Sequence, residues 1–264
     1  IRFATWDNAE TLEFQKKMVE KFNKSQDKIQ VLIEAYGENY DTKITASMGS
    51  SDAPDVMYMW NYPAYSNGLE PLDSYIEKEG EDFKKNYYSA LWDYNSIGNK
   101  IYGMPVGFTT HALFYNKDLF EKAGVSFPTE NYTWDDLRAA AKTITEKTEA
   151  KGFAFQMKPD PYDFEMYLWS NNSAYCDDKG KMSGKINSPE SEAVFKMFQD
   201  MAKEEIAAVT EGNGTDEFRA GQVAMYIYGS WSINSLNEDK MNYGITKLPS
   251  FGTGSSVSIL SSSG

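Results

Sequence analysis

The chain opens IRFATWDNAETLEFQKKMVEKFNKSQDKIQVLIEAYG, residues 1–37. Ile1, Phe3 and Thr5 alternate with other residues at the period of a strand. Phe14, Met18 and Phe22 then recur four apart, which lines one face of a helix. Ile29, Val31 and Ile33 return to a period of two. Further along, residues 40–51 read as a second helix. APDVMYMWNYP (53–63) is a short apolar run bounded by prolines, as expected of a strand buried on both faces. The sum is β-α-β-α-β, which predicts a doubly wound α/β sheet whose ligands bind beyond the carboxyl ends of its strands. Trp6, Asp7 and Asn8 fall at the first such end. Trp60, Asn61 and Tyr62 fall at the third.

The pattern restarts downstream. KIYGMPVG (100–107) is strand-like and leads through FTTHALFYNKDLF (108–120) into a helix that stops near Gly124. Thr133 has the chemistry of an N-cap, followed by Asp135 and Asp136 in the first turn, with Leu137, Ala141 and Ile144 along one face. Ser188 and Pro189 supply another cap and first helical position, with Val194, Phe198 and Met201 facing inward. A strand over 223–228, a helix opened by Gly229, Ser230 and Trp231, and a strand in MNYGITKLP (241–249) follow. These elements are assigned to a second lobe, and the chain finishes in the Ser/Gly-rich stretch GTGSSVSILSSSG (252–264).

Composition narrows the function. The 264 residues, 41% of them hydrophobic, suffice for one large domain or two lobes with separate cores. With 26 basic against 39 acidic residues the formal charge is −13, and no Lys/Arg cluster is present. Nucleic acid and anionic membrane surfaces are therefore poor partners. The single cysteine, Cys176, has no internal disulfide partner and no Cys/His cluster surrounds it, so neither a structural metal nor any cofactor is expected. Asp177 and Asp178 ahead of Lys179 and Gly180 read as a turn, without the ligand spacing of a calcium loop. No apolar run reaches the ~20 residues of a membrane span, and Ile1 begins directly in a strand-like pattern, from which any export signal is expected to have been removed already. Aromatic content is high at 15%, with 18 Tyr, 15 Phe and 6 Trp.

Five segments together resemble the extracellular solute-binding proteins of ABC sugar importers, the group typified by maltose-binding protein. They are DAPDVMYMW (52–60), YGMPVGFTTHALFYNKDLFEKAGV (102–125), TWDDL (133–137), FRAGQVAMYIYGSW (218–231) and YGITKLPSF (243–251). The resemblance covers nearly the whole chain. It implies a periplasmic-binding-protein-like fold of two α/β lobes with a ligand cleft between them, no catalysis, and delivery of an oligosaccharide to ABC permease subunits by a monomer. It implies a location outside the cytoplasm, in the periplasm or lipid-anchored on the outer face of the membrane. On this reading residues 1–108 form the N-terminal lobe, incomplete without later chain; 109–112 are a hinge crossing; 113–255 form the second lobe; and 256–264 are a second hinge segment. Members of the group continue well past the LPSF strand, so the sequence is expected to be truncated.

The chemistry of such a site is simple. A pyranose presents hydroxyls around its rim and C–H patches on its faces, and it is met by planar polar side chains and aromatic rings. The resemblance assigns ligand contact to Trp231, Asp160, Tyr162, Asp7, Asn8, Trp60, Asn61 and Thr109. Thr109 stands where maltose-binding protein has a glutamate. Each residue has a structural alternative. Trp231 could staple the following helix. Asp7 and Asn8 are helix-cap types. Trp60 could end a strand in the core, and Asp160, in Lys158-Pro159-Asp160-Pro161, suits a turn. His111, in an apolar context, reads as structural, and Cys176 as a thiol without a role. A glycoside hydrolase shares the aromatic and acidic composition, but no nucleophile elbow, zinc motif or phosphate loop is present. The same fold holding a phosphorylated or amino compound is the third reading, for which arginine or lysine at the site loops would be the signature.

Overall fold

The computed structural model describes residues 1–80, 82–158, 160–252 and 255–264. The chain divides into two compact units. The first is Ile1–Phe108 with Ser261–Gly264, and the second is Thr109–Leu260. The chain thus passes from one unit to the other at Phe108/Thr109 and again at Leu260/Ser261.

In the first unit, β1 (Arg2–Thr5), α1 (Ala9–Ser25), β2 (Leu32–Ala35), α2 (Tyr40–Met48) and β3 (Val56–Met57) run as the periodicities require. The strands form a parallel sheet in the order β2-β1-β3, with Phe3 opposite both Ile33 and Val56. Three short helices, α3 (Tyr62–Tyr65), α4 (Asp73–Lys78) and α5 (Ser89–Tyr94), and the two-stranded pair β4 (Ser96–Ile97) and β5 (Lys100–Ile101) complete it. Ala4, Tyr40, Ile44, Met59 and Tyr62 form its main core, and Ile76, Trp92 and Ile101 form a smaller one. The last residues join this unit through backbone bonds between Gly264 and Met59, 2.8 and 3.1 Å long.

Two expectations for this unit fail. The face of α1 turned inward is Leu12, Gln15, Val19 and Asn23, whereas Phe14, Met18 and Phe22 are 62%, 57% and 43% exposed. The roll of the helix is set by polar docking: the Asn23 amide donates to the carbonyl of Val31 and accepts its N–H, both at 2.9 Å. Second, Trp60 is not a core residue at the end of a long strand. β3 is two residues long, and the indole beyond it stays more than a third exposed.

The second unit is built on a six-stranded sheet. Its strands are β6 (Gly107–Asn116), β7 (Phe153–Phe155), β8 (Ala207–Val209), β9 (Met225–Gly229), β10 (Tyr243–Thr246) and β11 (Leu260–Ser263), of which Gly107, Phe108 and residues 261–263 are counted with the first unit. The order is β10-β6-β9-β7-β8, with β11 also paired to β6. β6 runs antiparallel to β9 and β10, while β7 is parallel to β8 and β9. The helices are α6 (Lys117–Ala123), α7 (Trp134–Lys147), α8 (Pro161–Ser170), α9 (Pro189–Lys203), α10 (Thr215–Arg219) and α11 (Ser232–Glu238).

The helix signals read in the sequence have structural counterparts. Thr133 and Asp136 form a reciprocal capping box on α7. Ser188 caps α9 with Pro189 at its first position. Gly124 closes α6 in the left-handed region, φ +68°, where a side chain is disfavoured. Leu137, Ala141, Ile144, Val194, Phe198 and Met201 are all fully buried. Trp134 is the hub of this core, with the rings of Phe153, Tyr167 and Phe198 edge-on at 5.9, 5.6 and 5.5 Å.

Candidate functional site

β6 and β9 lie side by side with His111 opposite Gly229, and the sharpest feature of the second unit is built at that rung. After Gly229 the chain turns through Ser230 and enters α11, with Trp231 at its N-cap position. The turn is pinned to β6 from both sides: the Ser230 N–H donates to the Thr110 carbonyl at 3.2 Å, and the Ser230 and Thr109 hydroxyls are 2.8 Å apart. The indole of Trp231 folds back over Gly229. A Cβ built on that glycine would meet the ring at 2.1 Å. Gly229 is therefore required by the close approach of the ring, and its φ is not in the left-handed range.

Other rings hold the indole at its edges. Tyr228 stands edge-on at 4.9 Å and His111 edge-on at 5.6 Å. His111 in turn meets Tyr228 at 5.9 Å and Tyr162 at 5.5 Å, both edge-on. Edge-to-face contacts of this kind favour a fixed mutual orientation. The imidazole is buried, yet Trp231 remains 44% exposed. Packed on Tyr228, His111 and the Gly229 backbone, the indole keeps nearly half its surface open.

The remaining sequence candidates separate by unit. Thr109, Tyr162 and Trp231 come together around the His111/Gly229 rung. Asp160 is the N-cap of α8, its carboxylate accepting the Tyr162 N–H at 3.0 Å, with Pro161 next. Of the turn read around it, Pro159 lies outside the described residues. Asp160 is exposed, so the cap leaves oxygen surface free on the same helix end as Tyr162.

In the first unit, Asp7 and Asn8 follow β1 and Trp60 and Asn61 follow β3, at the carboxyl ends of adjacent parallel strands. Asn8 sits at the N-cap position of α1 without a side-chain capping bond. Asp7 is half-buried, and burial pushes its carboxyl above the usual carboxylate range. Beside it, Trp6 packs on Tyr40 and Tyr58 at 5.2 and 4.8 Å. Trp60 donates its indole N–H to Asp41 at 3.1 Å, and Asn61 starts α3.

Sequence reasoning singled out Asp160 and Tyr162 but missed the helix α8 that carries them, and with it Asp163. The available signal was Asp160-Pro161, a cap followed by a favoured first position, ahead of Phe164, Tyr167 and Leu168 at helical spacing. It also read a strand over 100–107, where the structure has the two-residue β5 and then, from Gly107, the long strand β6 through Asn116. Among the described residues, no group of three His, Cys, Asp or Glu side chains is placed to hold a metal ion, and no helix is long and apolar enough to cross a membrane.

The chain belongs to the bacterial extracellular solute-binding protein family, which matches residues 6–263. A binding protein of Brucella abortus (strain 2308) is 30% identical over 226 residues, 80% of this chain and 53% of that protein. The sn-glycerol-3-phosphate-binding periplasmic protein of the same strain is 25% identical over 257 residues, 90% of this chain and 58% of that one. This chain therefore spans little more than half the length of the curated relatives it matches. Among solved structures, the GacH receptor of Streptomyces glaucescens, determined unliganded and in complex with acarbose and an acarbose homolog, superposes with a TM-score of 0.81. It is 25% identical, and the match covers 100% of this chain and 70% of the receptor. The fold is thus the two-lobed α/β fold of periplasmic-binding-protein-like solute-binding proteins.

Proposed function

We propose that this protein binds a neutral oligosaccharide without cleaving it, as the receptor of an ABC importer working outside the cytoplasmic membrane. The observation that carries the reading is the indole of Trp231, half-exposed and fixed over Gly229. A flat apolar ring with one open surface suits the C–H face of a pyranose. Thr109, bonded to Ser230, and Tyr162, packed on His111, flank the turn that carries it, and Asp160 caps the helix of Tyr162; together they offer the oxygens a sugar rim requires. Asp7, Asn8, Trp60 and Asn61 are the contacts we assign to the first unit. Family membership and the acarbose-binding relative support the same reading. Delivery to permease subunits, a monomeric state, and residence in the periplasm or on a lipid anchor belong to this proposal too. So does a hinge at the two chain crossings, Phe108 to Ala112 and Ser256 to Ser261.

The glycerol-phosphate relative keeps a phosphate ligand in view, but the chemistry favours a neutral one. The chain has three arginines. Arg2 is bound to Glu34 and Asp52, Arg138 to Glu204 and Arg219 to Asp239, so each guanidinium is already matched with carboxylate. Calorimetry with maltotriose, mannotriose, xylotriose and glycerol 3-phosphate, followed by chromatography of the recovered sugar, tests the proposal. Binding of a trisaccharide returned intact is the expected result. Shortened products, or glycerol 3-phosphate as the one ligand bound, would overturn it.

A further inference from the structure

Asp163 is one residue beyond Tyr162 in the first turn of α8, and no motif singles it out. One carboxylate oxygen, Oδ1, is buried and faces Nε2 of His111 at 3.4 Å. The Asp163 side chain is 23% exposed while the imidazole is 1% exposed. Asp163 therefore reaches the surface while the imidazole does not.

His111 itself is tightly enclosed. The Ser258 hydroxyl accepts its backbone N–H at 3.0 Å and donates to its carbonyl at 2.7 Å, which fixes the strand. The rings of Tyr162, Tyr228 and Trp231 surround the imidazole edge-on. Neither ring nitrogen has a hydrogen-bond partner among the described residues. An imidazole carries at least one N–H, and a buried donor left unpaired is costly. Asp163 Oδ1 is the acceptor at hand, a few tenths of an ångström beyond the usual N–H···O range. A small rotation of the carboxylate would complete the bond, and the part of the side chain that reaches the surface leaves its second oxygen free for a ligand in the proposal below.

We propose that Asp163 is a specificity-determining carboxylate of the sugar site, with His111 as its positioning residue. The Nε2–H of His111 holds Oδ1, and Oδ2 accepts a hydroxyl of the sugar whose face lies on Trp231. The inference rests on the oligosaccharide reading above. It explains why a polar ring is buried where a phenyl ring would fill the same space: the surrounding aromatic edges require only shape, whereas orientation of a carboxylate requires the N–H.

The experiment uses the whole chain, calorimetry with maltotriose, mannotriose and xylotriose, and melting of the ligand-free protein. Asp163→Asn keeps the side-chain volume and removes the charge from the acceptor, so affinity for the preferred sugar falls about tenfold with the melting temperature nearly unchanged. His111→Phe keeps a ring in the aromatic surround and removes the N–H, and it weakens binding by a similar factor. The double variant is no weaker than Asp163→Asn alone, because both changes remove one interaction. A purely structural pair would lower the melting temperature and leave affinity untouched. Should Asp163→Asn fail to fold, Asp163→Glu keeps the charge and moves it by a methylene, which alters the order of preference among the three sugars. Binding that is unchanged in Asp163→Asn, unchanged order in Asp163→Glu, or fully additive losses would overturn this inference while the receptor reading stands. Failure of the unaltered protein to bind any of the three would overturn that reading, and this inference with it.

Discussion

Replacing Gly229 by alanine adds one methyl group at the place where the structure tolerates it least. The new Cβ would lie 2.1 Å from Cζ3 of Trp231, 2.2 Å from Cη2 and 2.4 Å from Cε3. Ordinary contact begins at 3.4 Å, so the ring must withdraw by 3.4 − 2.1, about 1.3 Å. The backbone has no objection, since the φ of Gly229 is one that alanine adopts. The obstacle is an indole side chain that is partly open to solvent, and it can move outward without opening a cavity in the core. The fold should therefore survive, with a melting temperature within about 3 °C of the parent. Binding should not, because the platform is displaced and its edge contacts with Tyr228 and His111 are lost. Truncating an aromatic anchor of this kind costs about 2 kcal/mol, roughly a thirtyfold loss of affinity, and Gly229→Ala should approach that figure. Calorimetry with the preferred trisaccharide and melting of the ligand-free protein measure the two effects separately. Unchanged affinity in a folded Gly229→Ala protein would refute the stacking role of Trp231. A large drop in melting temperature with unchanged affinity would restore the indole to the status of a helix staple.

Three further outcomes follow from the same structure. Trp231→Ala should weaken binding by about thirtyfold, and Trp231→Phe by less, since a smaller face still stacks; equal losses in calorimetry would argue against stacking. Asp7→Asn should raise the melting temperature at neutral pH and leave it unchanged at strongly acidic pH. The sign follows from burial: the folded-state pKa is raised, so the ionised carboxyl costs stability that is regained as pH falls through that value. A melting difference that persisted in acid would refute this account. Thr133→Ala should cost about 1 kcal/mol, or roughly 3 °C, through loss of the capping box. The Thr133 hydroxyl and backbone N–H hold the Asp136 carboxyl below the usual range. That ionic part is complete above the unfolded-state pKa and fades as pH falls through the lowered one, so the melting difference between parent and variant should shrink in acid to what the cap bond from the Asp136 N–H to the Thr133 hydroxyl contributes.

Much of the fold was legible because its signals are local. Caps at Thr133 and Ser188, the left-handed stop at Gly124 and the apolar stripes of α7 and α9 depend on a few neighbouring residues, and each has its structural counterpart. The failures arise where tertiary contacts decide. In α1 the apolar stripe of Phe14, Met18 and Phe22 is the stronger periodic signal, but the roll of the helix is fixed by Asn23 gripping both backbone groups of Val31. Periodicity cannot see a pair of hydrogen bonds to a strand eight residues away. α8 escaped notice because its first turn, Pro161 to Phe164, mixes proline, rings and an acid, with no stripe until later.

The site shows the same division in a sharper form. Trp231 is a candidate because a Gly-x-Trp turn is a local pattern, and Asp160 and Tyr162 are candidates through the family resemblance. What holds the indole in place is not local. The ring packs on His111, 120 residues earlier in the chain, brought opposite Gly229 by the antiparallel pairing of β6 and β9, and that imidazole in turn meets Tyr162 of α8. A lone histidine in an apolar stretch has no pattern to match, so its reading as a buried structural residue was correct about burial and silent about purpose. The same burial that hides His111 from sequence reasoning ties it to its neighbours: the imidazole packs edge-on against Tyr162, Tyr228 and Trp231 and faces the Asp163 carboxylate at 3.4 Å. A change at residue 111 should therefore be felt at Trp231 and Asp163 before it is felt in the hydrophobic core around Trp134, whose rings touch other partners.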